Sequence, residues 1–207
     1  MKKNYSYIGI SFIILIFGIW AIPKIIKSVS EPDLATIGAV PAFSFTDQNE
    51  KTITNETFKD NVYIVEFFFT TCPSICPIMT ENMIKIQDEF LGNPKVGIAS
   101  FSIDPAHDTP QVLKEYAQNK GITKPQWHLL TGEKEAIFKL ANEGFNLYVG
   151  EVSEVEGGFE HSGFFALVDE EGNIRSRKDE SGNPIIYYDG LKDKEIQMLK
   201  EDIKKLL

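Results

Sequence analysis

The chain has 207 residues, 43% of them hydrophobic and 12% aromatic, enough for one well-packed domain plus an appendage. A formal net charge of -9 argues against nucleic acid as a partner. Two cysteines cannot build a disulfide scaffold in a chain of this length, so they form either one local bridge or a site.

Residues 4–23 contain no charged side chain. As a helix, such a run covers about 30 Å, the thickness of a bilayer's hydrocarbon core. Lys2 and Lys3 precede it, Lys24 and Lys27 follow it, and Tyr5, Tyr7 and Trp20 stand where interfacial aromatics would. No small-x-small pattern follows the apolar run, so an uncleaved single transmembrane helix over residues 1–27 is favoured over a cleaved signal peptide. The short tail favours an inside N-terminus. The globular part of an inner-membrane protein would then face the periplasm or another outer compartment. Residues 28–41, with Pro32 and Pro41, read as a linker, and residues 42–207 as the folded domain.

Within that domain, residues 43–46 alternate as an edge strand, with residues 52–54 pairing back across a turn. Residues 62–69, rich in β-branched and aromatic side chains, read as a strand buried on both faces. A helix carries Met79, Met83, Ile84, Ile86 and Phe90 at helical spacing and stops at Gly92. Residues 96–103 form a second core strand ended by Asp104-Pro105, and Asp108-Thr109-Pro110 opens another helix. A short strand at 127–130, a helix over 134–143, a strand at 164–168 and a turn into Ile174 follow. The chain ends in a helix over 191–207, striped by Ile196, Leu199, Ile203 and Leu206. Strands alternating with helices, with a late hairpin, predict an α/β three-layer sandwich around a mixed sheet.

Chemistry concentrates at Thr71-Cys72-Pro73-Ser74-Ile75-Cys76-Pro77. Thr70 and Thr71 are good N-caps and Pro73 suits a first helical turn, which predicts Cys72 at a strand-to-helix junction. Cys76 would then lie one helical turn later on the same face. Thiols at a helix N-terminus have lowered pKa values, and thiolate is both a nucleophile and a soft-metal ligand. A third element, His161, stands just before the strand at 164–168.

With these residues the chain resembles the Sco/SenC family of membrane-anchored, thioredoxin-like copper chaperones. The resemblance rests on the Cys72–Cys76 motif, on Ser102-Ile103-Asp104-Pro105 with Asp108-Thr109-Pro110, and on Leu130-Thr131-Gly132. His161-Ser162 followed by Leu167-Val168-Asp169 and Gly172 completes it. It runs from about Ile37 to the C-terminus and implies a copper site made by Cys72, Cys76 and His161, one ion per chain. Two thiolates and an imidazole are independently a soft set suited to Cu(I), and Cu(II) would add a fourth ligand such as water. The family is implicated in building the dinuclear copper centre of cytochrome c oxidase. The implied partners are the subunit carrying that centre and an upstream copper donor or thiol reductant. Where the family usually has aspartate before the metal histidine, this chain has Glu160.

Other readings stand beside these. A general thiol–disulfide oxidoreductase would need Cys72 and Cys76 but not His161. A peroxide-reducing thiol enzyme would need an arginine nearby, and the only two, Arg175 and Arg177, lie far along the chain. His107 reads as a solvated turn residue, His128 as structural, Asp104 as a cap or turn residue, and Met79 and Met83 as core rather than ligands.

Overall fold

The computed structural model describes residues 11–13, 15–20, 22, 34–152 and 158–207. The chain divides into two units, Met1–Asp33 and Leu34–Leu207. In the first, the described residues are helical, and Phe12, Ile13, Leu15, Ile16, Phe17, Ile19, Trp20 and Ile22 are exposed. No helix among the described residues is long and apolar enough to cross a membrane. Most of the anchor read over residues 1–27, including its four flanking lysines, Tyr5 and Tyr7, lies outside them.

The second unit is built on one large sheet. Its strands are β1 (Leu34–Ala39), β2 (Ser44–Asp47), β3 (Thr52–Thr54), β4 (Val62–Phe68), β5 (Val96–Ser102), β6 (Trp127–Thr131), β9 (Phe164–Val168), β10 (Asn173–Arg177) and β11 (Tyr188–Asp189). Two more, β7 (Val149–Glu151) and β8 (Phe159–His161), pair only with each other. The large sheet runs β1-β10-β9-β4-β5-β6-β2-β3, with β11 alongside β9. β4 pairs in parallel with β5, and β5 with β6, while every other pairing is antiparallel. The helices are α1 (Cys76–Phe90), α2 (Pro110–Lys120), α3 (Lys134–Lys139), continued as a π-helical turn over Leu140–Gly144, and α4 (Asp193–Leu206).

β4 shows how the layers form. All seven of its residues are buried, and successive side chains point to opposite faces. The Phe68 ring packs on Tyr116 of α2, whereas Phe67 packs on Phe145, beyond α3. Tyr116 is hydrogen-bonded to Thr80 of α1, and Glu89 of α1 pairs with Lys200 and Lys204 of α4. So α1, α2 and α4 cover one face and the α3 region the other, giving the predicted mixed α/β, thioredoxin-like sandwich.

Several local expectations differ. β1 falls inside the stretch read as linker: Leu34 is buried and pairs with Arg177, but Gly38 and the flanking prolines obscure the alternation. β7, β8 and β11, of two or three residues each, are too short to show a period. α1 begins at Cys76, not near Cys72, with Ile75 as N-cap and a proline in the first turn, which is Pro77. Thr70 and Thr71 cap nothing there.

Candidate metal centre

The reason lies in Asp108, a fully buried carboxylate at the end of the β5–α2 loop. The Thr70 backbone N–H donates to its Oδ2 at 3.0 Å, and the Thr70 hydroxyl donates to its Oδ1. Ser102 Oγ donates to Oδ2 at 2.6 Å, and His107 Nδ1 lies 2.8 Å from Oδ1. Thr70 is thereby used as a donor to the neighbouring loop and is lost as a helix cap. The segment from Thr70 to Ile75 becomes a turn, held by Cys72 N–H to Phe69 C=O at 3.3 Å, that carries Cys72 over the N-terminus of α1. The two cysteines meet because this turn folds back, not because they share a helical face.

His161 arrives from the separate β7–β8 ribbon, where it lies opposite Val149. Its ligand atoms and those of Cys72 and Cys76 all lie within 4.8 Å of one another. Exposures are 8% for Cys72, 1% for Cys76 and 7% for His161. Cys76 Sγ sits 3.1 Å from His161 Nε2, and His161 Nδ1 donates to the Ser162 carbonyl at 3.2 Å. A carbonyl only accepts, so a neutral ring carries its proton on Nδ1 and turns the Nε2 lone pair toward the sulfurs. The Phe69 ring stands edge-on to the imidazole at 6.0 Å. A groove lined by Phe69, Cys72, Ile75, Phe159, Glu160 and His161 connects Cys72 and His161 to solvent, with Cys76 beneath it.

Both cysteines are free thiols. The hydrogen bond from Cys76 pulls the Cys72 thiol far below its ordinary value against the effect of burial. The same bond pushes Cys76 up, and burial pushes it further. The expectation of two lowered thiols is therefore met only at Cys72, at the groove, whereas Cys76 beneath it is raised. The arrangement can do two things chemically. It can present two sulfurs and an imidazole nitrogen to a soft cation, or a thiolate with an adjacent resolving thiol to a disulfide.

The remaining candidates fall elsewhere. His107 is half exposed on Asp108, and His128 Nδ1 lies 3.0 Å from buried Asp47 Oδ2 in a partly buried structural pair. The Asp104 carbonyl accepts the N–H groups of His107 and Asp108 as a turn residue. Met79 and Met83 are core. Glu160 is exposed at the groove. Sequence reading missed two residues. Asp108 reads in the sequence only as part of the Asp108-Thr109-Pro110 helix opening, where Thr109 provides the cap. Glu66 is a carboxylate inside an otherwise apolar strand, and that anomaly was the available signal.

The chain belongs to the SCO1/SenC family, whose model matches residues 33–194. A SCO1 protein homolog of Bacillus subtilis is 34% identical over 154 residues, covering 73% of this chain and 78% of that one. Among solved structures, BsSco is a member of the Sco family of cytochrome c oxidase assembly proteins and has a disulfide switch. It aligns with a TM-score of 0.69 at 29% identity, over 83% of this chain and 95% of that one. Arabidopsis thaliana ScoI with copper bound aligns with a TM-score of 0.63 at 25% identity, over 82% of this chain and 97% of that one.

Proposed function

We propose that this protein is a copper-binding assembly factor for cytochrome c oxidase that holds one copper ion per chain through Cys72, Cys76 and His161. The observation that carries the reading is the convergence of two sulfurs and an imidazole nitrogen within 4.8 Å from separate elements. The donor set fits the ion: thiolates and imidazole suit Cu(I), and the open groove leaves room for a water to complete Cu(II). The relative bound to copper and the relative from the oxidase assembly proteins support it. The client would be the subunit carrying the dinuclear copper centre, and a donor of copper or of reducing equivalents would act upstream. The uncharged run at residues 4–23 and the exposed apolar side chains of its described part support a tether to the inner membrane, with the copper domain in the outer compartment.

A second reading, reduction of the client's cysteines, is favoured by the lowered Cys72 thiol beside the free thiol of Cys76. His161→Ala separates the two. It leaves two thiolates that still hold Cu(I) but offer Cu(II) too few donors, and it leaves dithiol exchange intact. If oxidase assembly in cells fails with His161→Ala as it does with Cys72→Ser or Cys76→Ser, copper handling is the function. If it survives His161→Ala alone, thiol reduction is. A folded, reduced chain that retains no copper rejects the copper reading outright.

A further inference from the structure

Glu66 lies in the interior of β4 at 3% exposure, on the face shared with Phe68 and covered by α1 and α2. Its Oε1 accepts from Ser100 Oγ on β5 at 2.6 Å, and Ser100 Oγ accepts from Trp127 Nε1 at 2.9 Å. Its Oε2 is buried without a hydrogen-bond partner. Among the described residues no lysine or arginine pairs with it. A buried carboxylate half-satisfied in this way is unfavourable, and an apolar residue would suit the strand better. The helix α1 over this face begins at Cys76, and Tyr116 of α2 is hydrogen-bonded to Thr80, whose hydroxyl donates to the Cys76 carbonyl at 2.8 Å. The Glu66 charge adds to the rise of the Cys76 thiol, a proposed copper ligand, and of the Tyr116 hydroxyl.

We propose that Glu66 is a positioning residue for charge: its buried carboxylate biases the Cys72–Cys76–His161 site toward Cu(II) and against Cu(I). This rests on reading that site as a copper site. Two thiolates, a neutral imidazole and Cu(I) sum to one negative charge, whereas with Cu(II) they sum to zero. A fixed negative charge in a low-dielectric interior repels the first complex and leaves the second nearly untouched. Burial pushes the Glu66 carboxyl up to about 7, so at pH 8 it is charged.

The test compares the full-length wild type with Glu66→Gln at pH 8, which removes the charge and keeps an acceptor for Ser100. Cu(I) and Cu(II) affinities are each measured by competition with a chromophoric chelator. The ratio of Cu(I) to Cu(II) affinity should rise at least tenfold in the variant, with one copper still bound per chain. Should Glu66→Gln not fold, Ser100→Ala removes the bond that favours the charged form and should move the ratio the same way by a smaller factor. A ratio within threefold of wild type, in a variant that still binds both ions, overturns the proposal and leaves the copper reading standing. A wild type that binds neither ion overturns both.

Discussion

Asp202 and Glu66 are both carboxylates shut away from solvent, and the fold treats them in opposite ways. Asp202 Oδ2 accepts from Arg177 Nε at 2.7 Å and from the Tyr188 hydroxyl at 2.9 Å, and its Oδ1 accepts from Arg177 Nη2 at 2.9 Å and Lys205 Nζ at 2.7 Å. The bidentate guanidinium is the strong geometry for such a pair, and it fastens α4 to β10 and β11. Burial alone would raise the Asp202 carboxyl, but Arg177, Lys205 and Tyr188 together hold it below the ordinary range. Glu66 has one neutral donor and one bare oxygen, and its carboxyl rises. Full satisfaction marks a buried charge that holds elements together. Partial satisfaction beside the sulfur–imidazole cluster marks one whose charge is available to the site.

Removing each charge should therefore have opposite consequences. The largest effect is expected from Asp202→Ala, which takes the bidentate partner from Arg177, leaving it only Glu201 and the Met198 carbonyl, and strands the buried Tyr188 hydroxyl. It should cost about 3 kcal/mol, seen as a fall in melting temperature of about 6–12 °C. A loss below about 1 kcal/mol would mean that Asp202 is no better used than Glu66, and the contrast would collapse.

Asp108 sharpens the contrast, because it is a well-partnered carboxylate placed at the site. Asp108→Ala frees Thr70 and Ser102 and should destabilise the domain by about 2 kcal/mol. It should also weaken copper binding about tenfold, because the turn that presents Cys72 is no longer tied to β5. Equilibrium unfolding and a copper competition titration read the two effects separately. Unchanged copper affinity in the destabilised variant would show that the turn holds its shape without the clamp.

The pH dependence of stability should carry the same opposition with a smaller amplitude. A lowered carboxyl such as Asp202 contributes stability that is present above its unfolded value and lost as pH falls through its folded one. A raised carboxyl acts in reverse. Between its ordinary value and about 7 the folded Glu66 binds more protons than the unfolded one, so stability drops as pH rises through that window. Glu66→Gln should thus be more stable than wild type by about 1–2 kcal/mol at pH 8, after allowing for an unpaired amide N–H. The gain should vanish in acid, below the ordinary glutamate range. Denaturant unfolding of the reduced, metal-free chain at the two pH values measures it. A gain that persists in acid would assign it to packing rather than charge.

Most of this architecture could be read from the residues, because β4, β5, β6, β9 and the four helices carry period or length enough to declare themselves. Cys72 and Cys76 stand out by their spacing alone, and His161 joins them only through the family resemblance. What could not be read was how the three come together. Thr70 looks like a helix cap until a carboxylate 38 residues away takes its hydroxyl and N–H, and no local pattern encodes that competition. β8, which delivers His161, is three residues long and pairs only with β7. Glu66 was hidden by its neighbours, since an apolar run averages over a single charge.

The smallest expected effect concerns Glu160, the residue preceding His161. It lies on the same short strand, opposite Gly150, but is exposed. Adjacent strand residues point to opposite faces, so its carboxylate diverges from the imidazole and acts on a bound ion only through solvent. An exposed charge is screened within about 8 Å at physiological salt. Glu160→Gln should then change copper affinity less than threefold there. The change should grow at about 0.01 M salt, where the screening length reaches about 30 Å, and disappear at about 1 M, where it falls to about 3 Å. That salt dependence separates Glu160 from Glu66, whose buried charge is scarcely screened by added ions. A tenfold loss that survives at high salt would mean that Glu160 touches the ion or the imidazole, and that the ribbon closes over the groove once copper is bound.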